Sequence, residues 1–224
     1  MGIDYTKSSS LATTEPPQGK VTLTKNAPTV SLTKKAASTG LLRVNLNWNS
    51  APAEHGRGSI FKRRSAAEGI DLDLGCLYEF TDGSKGVVQA LGSSFEARPR
   101  EGRERVIWLD GDDRTGTNSA GENLFVDLAQ TAVIRRILVF AFIYEGAPNW
   151  AAANGVVTMF PVSGPQVEVR LDEPRNGARI CGIAMLDAHE GQLSVHREVR
   201  YVDGAQEHLD AAYGWGMRWS VGRK

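Results

Sequence analysis

Runs in which every second residue is apolar recur along this chain, and they constrain its fold more than any other feature. In "LLRVNLNWN" (41–49), Leu42, Val44, Leu46 and Trp48 share one face, because successive side chains of a strand point to opposite sides. "VTLTK" from Val21 and "TVSLTK" from Thr29 alternate in the same way. "IDLDLGCLYEF" (70–80) is followed by Asp82-Gly83 and then "VVQALG"; a strong turn signal between two such runs predicts a hairpin. "IRRILVFAFIYE" (134–145) is a continuous run rich in Ile, Val and Phe. It fits a central sheet strand, although periodicity alone leaves a buried helix open. "GVVTMFPV", "QVEVRLD", "ARICGIAMLDA" and "QLSVHREVRYV" follow at short intervals, divided by Gly and Pro turns.

Many short strands separated by turns argue for a sandwich or a barrel. The fold expected is all-β: a β-sandwich of two mainly antiparallel sheets with one short C-terminal helix. That helix is read in "GAQEHLDAAYGW" (204–215), where Leu209, Ala212 and Tyr213 have helical spacing and Gly214 stands near the end. No internal repeat and no βαβ alternation is present, which excludes a Rossmann architecture. Residues 1–19 are Ser/Thr/Pro-rich and read as a disordered lead-in to one domain over 20–224. The segments 50–68 and 96–105 read as loops, the second one charged and proline-containing.

Charge narrows the function. Lys+Arg and Asp+Glu both number 26, so the net charge is zero, whereas a general electrostatic nucleic-acid binder is basic. No apolar run approaches the roughly 20 residues of a membrane-spanning helix, and the first twenty residues hold no apolar core of a secretory signal. Cys76 and Cys181 sit in apolar contexts and read as buried thiols rather than a disulfide or a zinc site. His55, Arg57, Lys62, Arg63 and Arg64 form a basic stretch that reads as a solvated loop. Trp215 and Trp219 read as packing anchors of a last strand. No Gly-x-Ser-x-Gly, P-loop or His-Glu-x-x-His motif is present.

The acidic residues carry the functional signal. Asp71 and Asp73 are two apart on a presumed strand and so point to one face, with Ile70, Leu72 and Leu74 on the other. Two like charges side by side repel unless a cation or an arginine lies between them. The stretch "WLDGDDRTGTNSAGENLF" (108–125) adds Asp110, Asp112, Asp113 and Glu122, with neutral oxygens from Thr115, Thr117, Asn118, Ser119 and Asn123. Alone it reads more readily as a solvated turn, with Asp112 or Asp113 paired to Arg114, than as a metal loop. It lacks the spacing of an EF-hand. Together with Asp71 and Asp73 it forms an all-oxygen set, which selects hard cations such as Ca²⁺ over Zn²⁺.

"VSLTKKA", "GIDLDLGCLYEF", "GDDRTG…GENLFVDL" and "ILVFAFIYEG" stand in an order that resembles TerD-type domains of the tellurium-resistance (Ter) stress-response family. "FAFIYEG.PNW" and "AYGWGMRW" resemble its TerA-like branch most. The resemblance runs from about Val21 to the C-terminus. It implies a cytoplasmic, calcium-binding β-sandwich with ligands at Asp71, Asp73, Asp112 and Asp113. The family's loop carries more acids than this one, in which Glu122 alone is charged among the later positions, so the resemblance implies one firm site. Glu145 stands where family members often have His-Asp and is a weaker candidate, as is Glu122. The resemblance also implies a non-enzymatic role in resistance to tellurite and other stresses, in complexes with other Ter proteins, some at the inner membrane face. The alternative expectation is a Ca²⁺-dependent binder of anionic membrane surfaces.

Overall fold

A computed structural model describes residues 19–32, 39–49, 70–110, 121–146 and 149–220. The lead-in before Gly19, the 50–68 loop with its basic cluster, and Asp112, Asp113, Thr115, Thr117, Asn118 and Ser119 lie outside the described residues.

These residues form β1 (Lys20–Thr22), β2 (Thr29–Ser31), β3 (Leu41–Asn47), β4 (Asp71–Phe80), β5 (Lys85–Val88), β6 (Glu96–Ala97), β7 (Ile107–Leu109) and β8 (Glu122–Asp127). They continue with β9 (Ile134–Glu145), the single-turn helix α1 (Trp150–Ala153), β10 (Gly155–Phe160), β11 (Gln166–Leu171), β12 (Ile180–His189), β13 (Gln192–Val202) and α2 (Gln206–Tyr213). Seven strands make one sheet in the order β1-β11-β10-β3-β8-β7-β6, and six make the other in the order β2-β13-β12-β9-β4-β5. The pairs are antiparallel apart from β1 with β11. The expected two-sheet sandwich is therefore the fold. Among the described residues no helix is long and apolar enough to cross a membrane.

The core lies between the sheets, and the alternation read in the sequence supplies it. Leu42, Val44 and Leu46 of β3, Leu72, Leu74 and Cys76 of β4, and Leu124 and Val126 of β8 are fully buried there. β9 is apolar from 137 to 143 because both its faces are covered there. Ile137, Val139, Ala141 and Ile143 join the inter-sheet core. Leu138 and Phe140 join a second cluster with Leu77, Ile180, Leu209 and Trp215, under α2 and the chain that follows it. The run at 134–145 is thus a strand between β4 and β12 and not a helix.

The hairpin expected at Asp82-Gly83 is present. Gly83, at φ 80, donates its N–H to the Phe80 carbonyl, and the Asp82 carboxylate accepts from Ser84 and from the Arg100 N–H. The segment 96–105 differs from the expected loop at its start, where Glu96 and Ala97 pair with Trp108 and Ile107.

The chain after α2 corrects a second expectation. Residues 214–220 form no strand. Gly214, at φ 63, ends the helix in the left-handed conformation. The buried Asp210 carboxylate then accepts from the N–H of Gly216 (2.8 Å), the N–H of Met217 (2.9 Å) and the Trp219 indole (3.0 Å). The tail is fixed by one side chain rather than by a β ladder. Trp215 is an anchor, as expected: its indole donates to the Tyr78 carbonyl at 3.1 Å, and the Arg136 guanidinium lies 3.8 Å from its ring centroid.

Arg136 links this anchor to a buried acid. Glu79 on β4 accepts from Arg135 at 2.7 Å and from Arg136 at 2.8 Å, and Lys85 lies 3.8 Å away. Burial pushes the Glu79 carboxyl up, but its hydrogen bond to Arg136 and the charges of Arg136, Lys85 and Arg135 outweigh burial and hold it below the ordinary value. A carboxylate with a lowered folded pKa stabilises the fold above its unfolded pKa, and that contribution is lost as pH falls through the folded value. Glu79→Gln is therefore expected to lower stability by about 2 kcal/mol at neutral pH, below the full cost of breaking a buried pair because Arg135 is largely exposed. Urea denaturation should show that deficit shrinking as the pH drops below the carboxylate range.

Candidate functional site

β4 begins, β8 begins and β9 ends at one end of the sandwich, and each brings a carboxylate. On β4, Asp71 and Asp73 point away from Leu72 and Leu74, as the alternation predicts. Asp71 is 8%, Asp73 4% and Glu122 3% exposed. That burial was not legible in the sequence. Asp71 is the register partner of Glu145, which is exposed. The register shifts between Asp71 and Leu72, so that Leu72 faces Ile143 and Tyr144 is the extra residue of a bulge. Bulges re-aim side chains where a ladder ends. Here the bulge ends the β4–β9 ladder on two carboxylates directly opposite one another, an arrangement that is unfavourable without a counter-charge.

Glu122 has the parity of Leu124 and Val126 and therefore points between the sheets. Its Oε2 accepts the Leu74 N–H of β4 at 2.6 Å. β5 pairs with β4 only from Cys76 onward, so Leu74 lies on a stretch of β4 with no strand on that side among the described residues. Glu122 takes the place of the missing neighbour and ties the seven-stranded sheet to the six-stranded one. One of its oxygens thus has a structural duty.

The acidic loop leaves from Asp110 and returns at Gly121, and its two ends are clamped together. Asp110 N–H donates to the Asn123 carbonyl at 3.1 Å. The Asn123 N–H and Nδ2 donate to Asp110 Oδ1 and Oδ2 at 3.3 and 2.9 Å. Asn123 Oδ1 accepts from Asn45 Nδ2 (3.0 Å) and Arg43 (3.3 Å). Asn123, expected from the sequence to offer a neutral oxygen to an ion, spends that oxygen on β3 instead. Asp110 is the stem of the loop. Spacing alone could not separate these two residues from the acids and amides around them; the signal was their place, Asp110 just after β7 and Asn123 second in β8.

The structure thus brings Asp71, Asp73, Glu122 and Glu145 to one end. Asp112 and Asp113 lie outside the described residues, between Asp110 and Gly121. Among the described residues no three His, Cys, Asp or Glu are grouped so as to hold a metal ion by themselves. Both cysteines are buried and free. Burial pushes each thiol above its ordinary pKa, Cys181 well above it, so neither offers a reactive thiolate.

Gly121 fixes where the loop re-enters the sheet. Its φ is 67, and a Cβ there would sit 2.1 Å from the Leu46 carbonyl oxygen. That contact is with backbone, which cannot yield without parting β3 from β8. Gly121→Ala is expected to destabilise the fold by about 2–3 kcal/mol, read as a lowered midpoint in thermal or urea unfolding.

Comparisons with known proteins place this arrangement. No protein-family model matches the chain. Over 206 residues the sequence is 43% identical to the tellurium resistance protein TerA of an Alcaligenes species, covering 92% of this chain and 58% of that protein. The chain thus spans less than two thirds of that relative's length. The fold is shared with a homologue of the telluride resistance protein TerD from Streptomyces coelicolor A3(2), at a TM-score of 0.52 and 20% identity. It is shared also with a protein of unknown function, at a TM-score of 0.53 and 15% identity. Each of these matches covers 76% of this chain and 94% of the solved one. With this identity along nearly its whole length and this fold, the chain belongs to the tellurium-resistance (Ter) family and has its TerD-type sandwich.

Proposed function

We propose that this chain is a non-enzymatic calcium-binding module of a tellurite-resistance and general stress-response system. The observation that carries the reading is the meeting of Asp71 with Glu145 in register, beside the buried Asp73 and Glu122, at the end from which the 111–120 loop departs. Carboxylates set opposite one another, as Asp71 and Glu145 are, repel, and a divalent cation converts that repulsion into attraction. The donor set is all oxygen, which suits Ca²⁺. Asp71 and Asp73 would hold the ion, Asp112 and Asp113 would complete the shell from the loop, and Glu122, which points between the sheets, is the weaker candidate. Glu145 would act as an exposed outer ligand. Calcium supplies charge neutralisation and loop order rather than reactivity. The clamp of Asp110 on Asn123 limits the motion of the loop's ends, so the surface changed by the ion is confined to 111–120.

That surface is where a partner would read the calcium-bound state, and other Ter proteins are the partners this family membership favours. TerA of Alcaligenes bears its tellurium-resistance name as a longer protein, and its role comes to this chain as part of this proposal. Direct redox chemistry on tellurite is disfavoured by the burial of both thiols.

Isothermal calorimetry tests the reading. The wild-type chain should bind Ca²⁺, and Asp71→Asn and Asp112→Asn should each bind about tenfold or more weakly, the loss expected when a charged ligand is neutralised. Equal heats for wild type and variants would sink the site. Sedimentation with anionic vesicles is a second arm: Ca²⁺-dependent pelleting would reassign the ordered loop to a membrane surface.

A further inference from the structure

Among the described residues the six-stranded sheet ends at β5, which has a strand neighbour, β4, on one side only. The Phe80 N–H donates to the Ser84 carbonyl at 2.9 Å, so this is a hydrogen-bonded pair. Antiparallel alternation then turns the N–H and C=O of Lys85 and Val87 away from β4. Gln89 obeys the same parity, and its N–H bonds outward to the Ser94 carbonyl at 2.9 Å. An unpaired strand edge is a ready template for another strand.

Beside this edge lies a groove of about 740 Å³. One wall is β5, the opposite wall is the tail pinned by Asp210, with Met217 and Trp219 facing the space, and the start of α2 closes one side. Two side-chain amides also line it. Gln89 is 7% and Gln206 5% exposed, and Gln206 Nε2 donates to Gln89 Oε1 at 2.8 Å. That single bond leaves Nε2 of Gln89 and Oε1 of Gln206 with no hydrogen bond among the described residues. An exchange of the two amide orientations would still leave one donor and one acceptor. A buried amide pair with one donor and one acceptor unspent matches a peptide unit, which offers one of each.

Charge narrows the ligand further. The Lys85 ammonium is held by the Trp215 carbonyl at 2.9 Å and lies near Glu79, which leaves Arg218 and Glu207, of opposite sign, on the lining. Nothing here selects a phosphate or another anion. We propose that the groove binds an extended, uncharged peptide segment of a partner protein, which adds a short strand to β5 while Gln89 and Gln206 hydrogen-bond one of its peptide units. Met217 and Trp219 give the segment's side chains an apolar wall. The groove runs beside the second half of β4, whereas Asp71 and Asp73 begin that strand, so this inference does not rest on the calcium reading.

The test uses the full chain in calcium-free buffer and a phage-displayed library of random dodecapeptides. Selected peptides, once synthesised, are expected to bind the wild type and to slow exchange of the Lys85 and Val87 amide protons in NMR spectra. Their affinity should fall about tenfold or more in Gln206→Ala, the loss of one to two hydrogen bonds to a buried group. It should fall similarly in Glu207→Trp, an exposed position where the new ring fills the groove without entering the core. Failure to enrich any peptide would overturn the proposal. So would peptides that bind without protecting those two amides, or affinities that both variants leave intact.

Discussion

The pairing of β4 with β9 is the interaction on which the rest of the molecule depends. β9 is buried on both faces, so it accepts apolar side chains from the facing sheet on one side and from α2 and the tail on the other. β4 runs beside it along its whole length. One end of that ladder carries Asp71 opposite Glu145, and the other carries Glu79 opposite Arg136. The two ends therefore solve the same problem differently. At Glu79 the chain supplies its own cations, and the buried acid becomes a strut that also holds Trp215. At Asp71 the register partner is another acid.

The fold was legible because burial and period coincide. β3 and the first half of β4 alternate, since Leu42, Val44 and Leu46 of the one and Leu72 and Leu74 of the other meet the opposite sheet. β9 was ambiguous for the converse reason: a strand covered on both faces loses its period, and only its sheet neighbours distinguish it from a helix. The tail was misread because two tryptophans around a glycine resemble the end of a strand. What orders them is not a ladder: the Trp215 indole donates to the Tyr78 carbonyl, and the Asp210 carboxylate accepts from Gly216, Met217 and Trp219. No period in the sequence encodes that.

The candidate site was legible in part. Asp71 and Asp73 follow from alternation, and their common face is where the strand pattern puts it. Glu122 was read as one more acid of a loop, but its parity with Leu124 turns it inward, where it hydrogen-bonds β4 across the sandwich. Asn123, one residue later, turns outward and joins Asn45, Arg43 and Asp110. Adjacent residues that look alike in composition thus have opposite duties, decided by the two-residue period of β8 and the register that pairs Glu122 with Leu46. Register is a tertiary fact, which a single sequence states only where one face is plainly apolar.

These duties bear on how an ion at this end would act on the molecule. Glu122 joins the sheets and begins β8, Gly121 fixes the return of the loop against Leu46, and Asp110 locks the departing strand to Asn123. The frame around the loop is thus closed by hydrogen bonds that need no ion. Binding energy from a cation would be spent on the ten residues between Asp110 and Gly121 and on Asp71 and Asp73, not on assembling the sandwich. A ligand shifts an equilibrium only as far as it distinguishes two states. Under the calcium reading, a cation would therefore act on the carboxylates it binds and not on these three contacts, which the chain makes by itself.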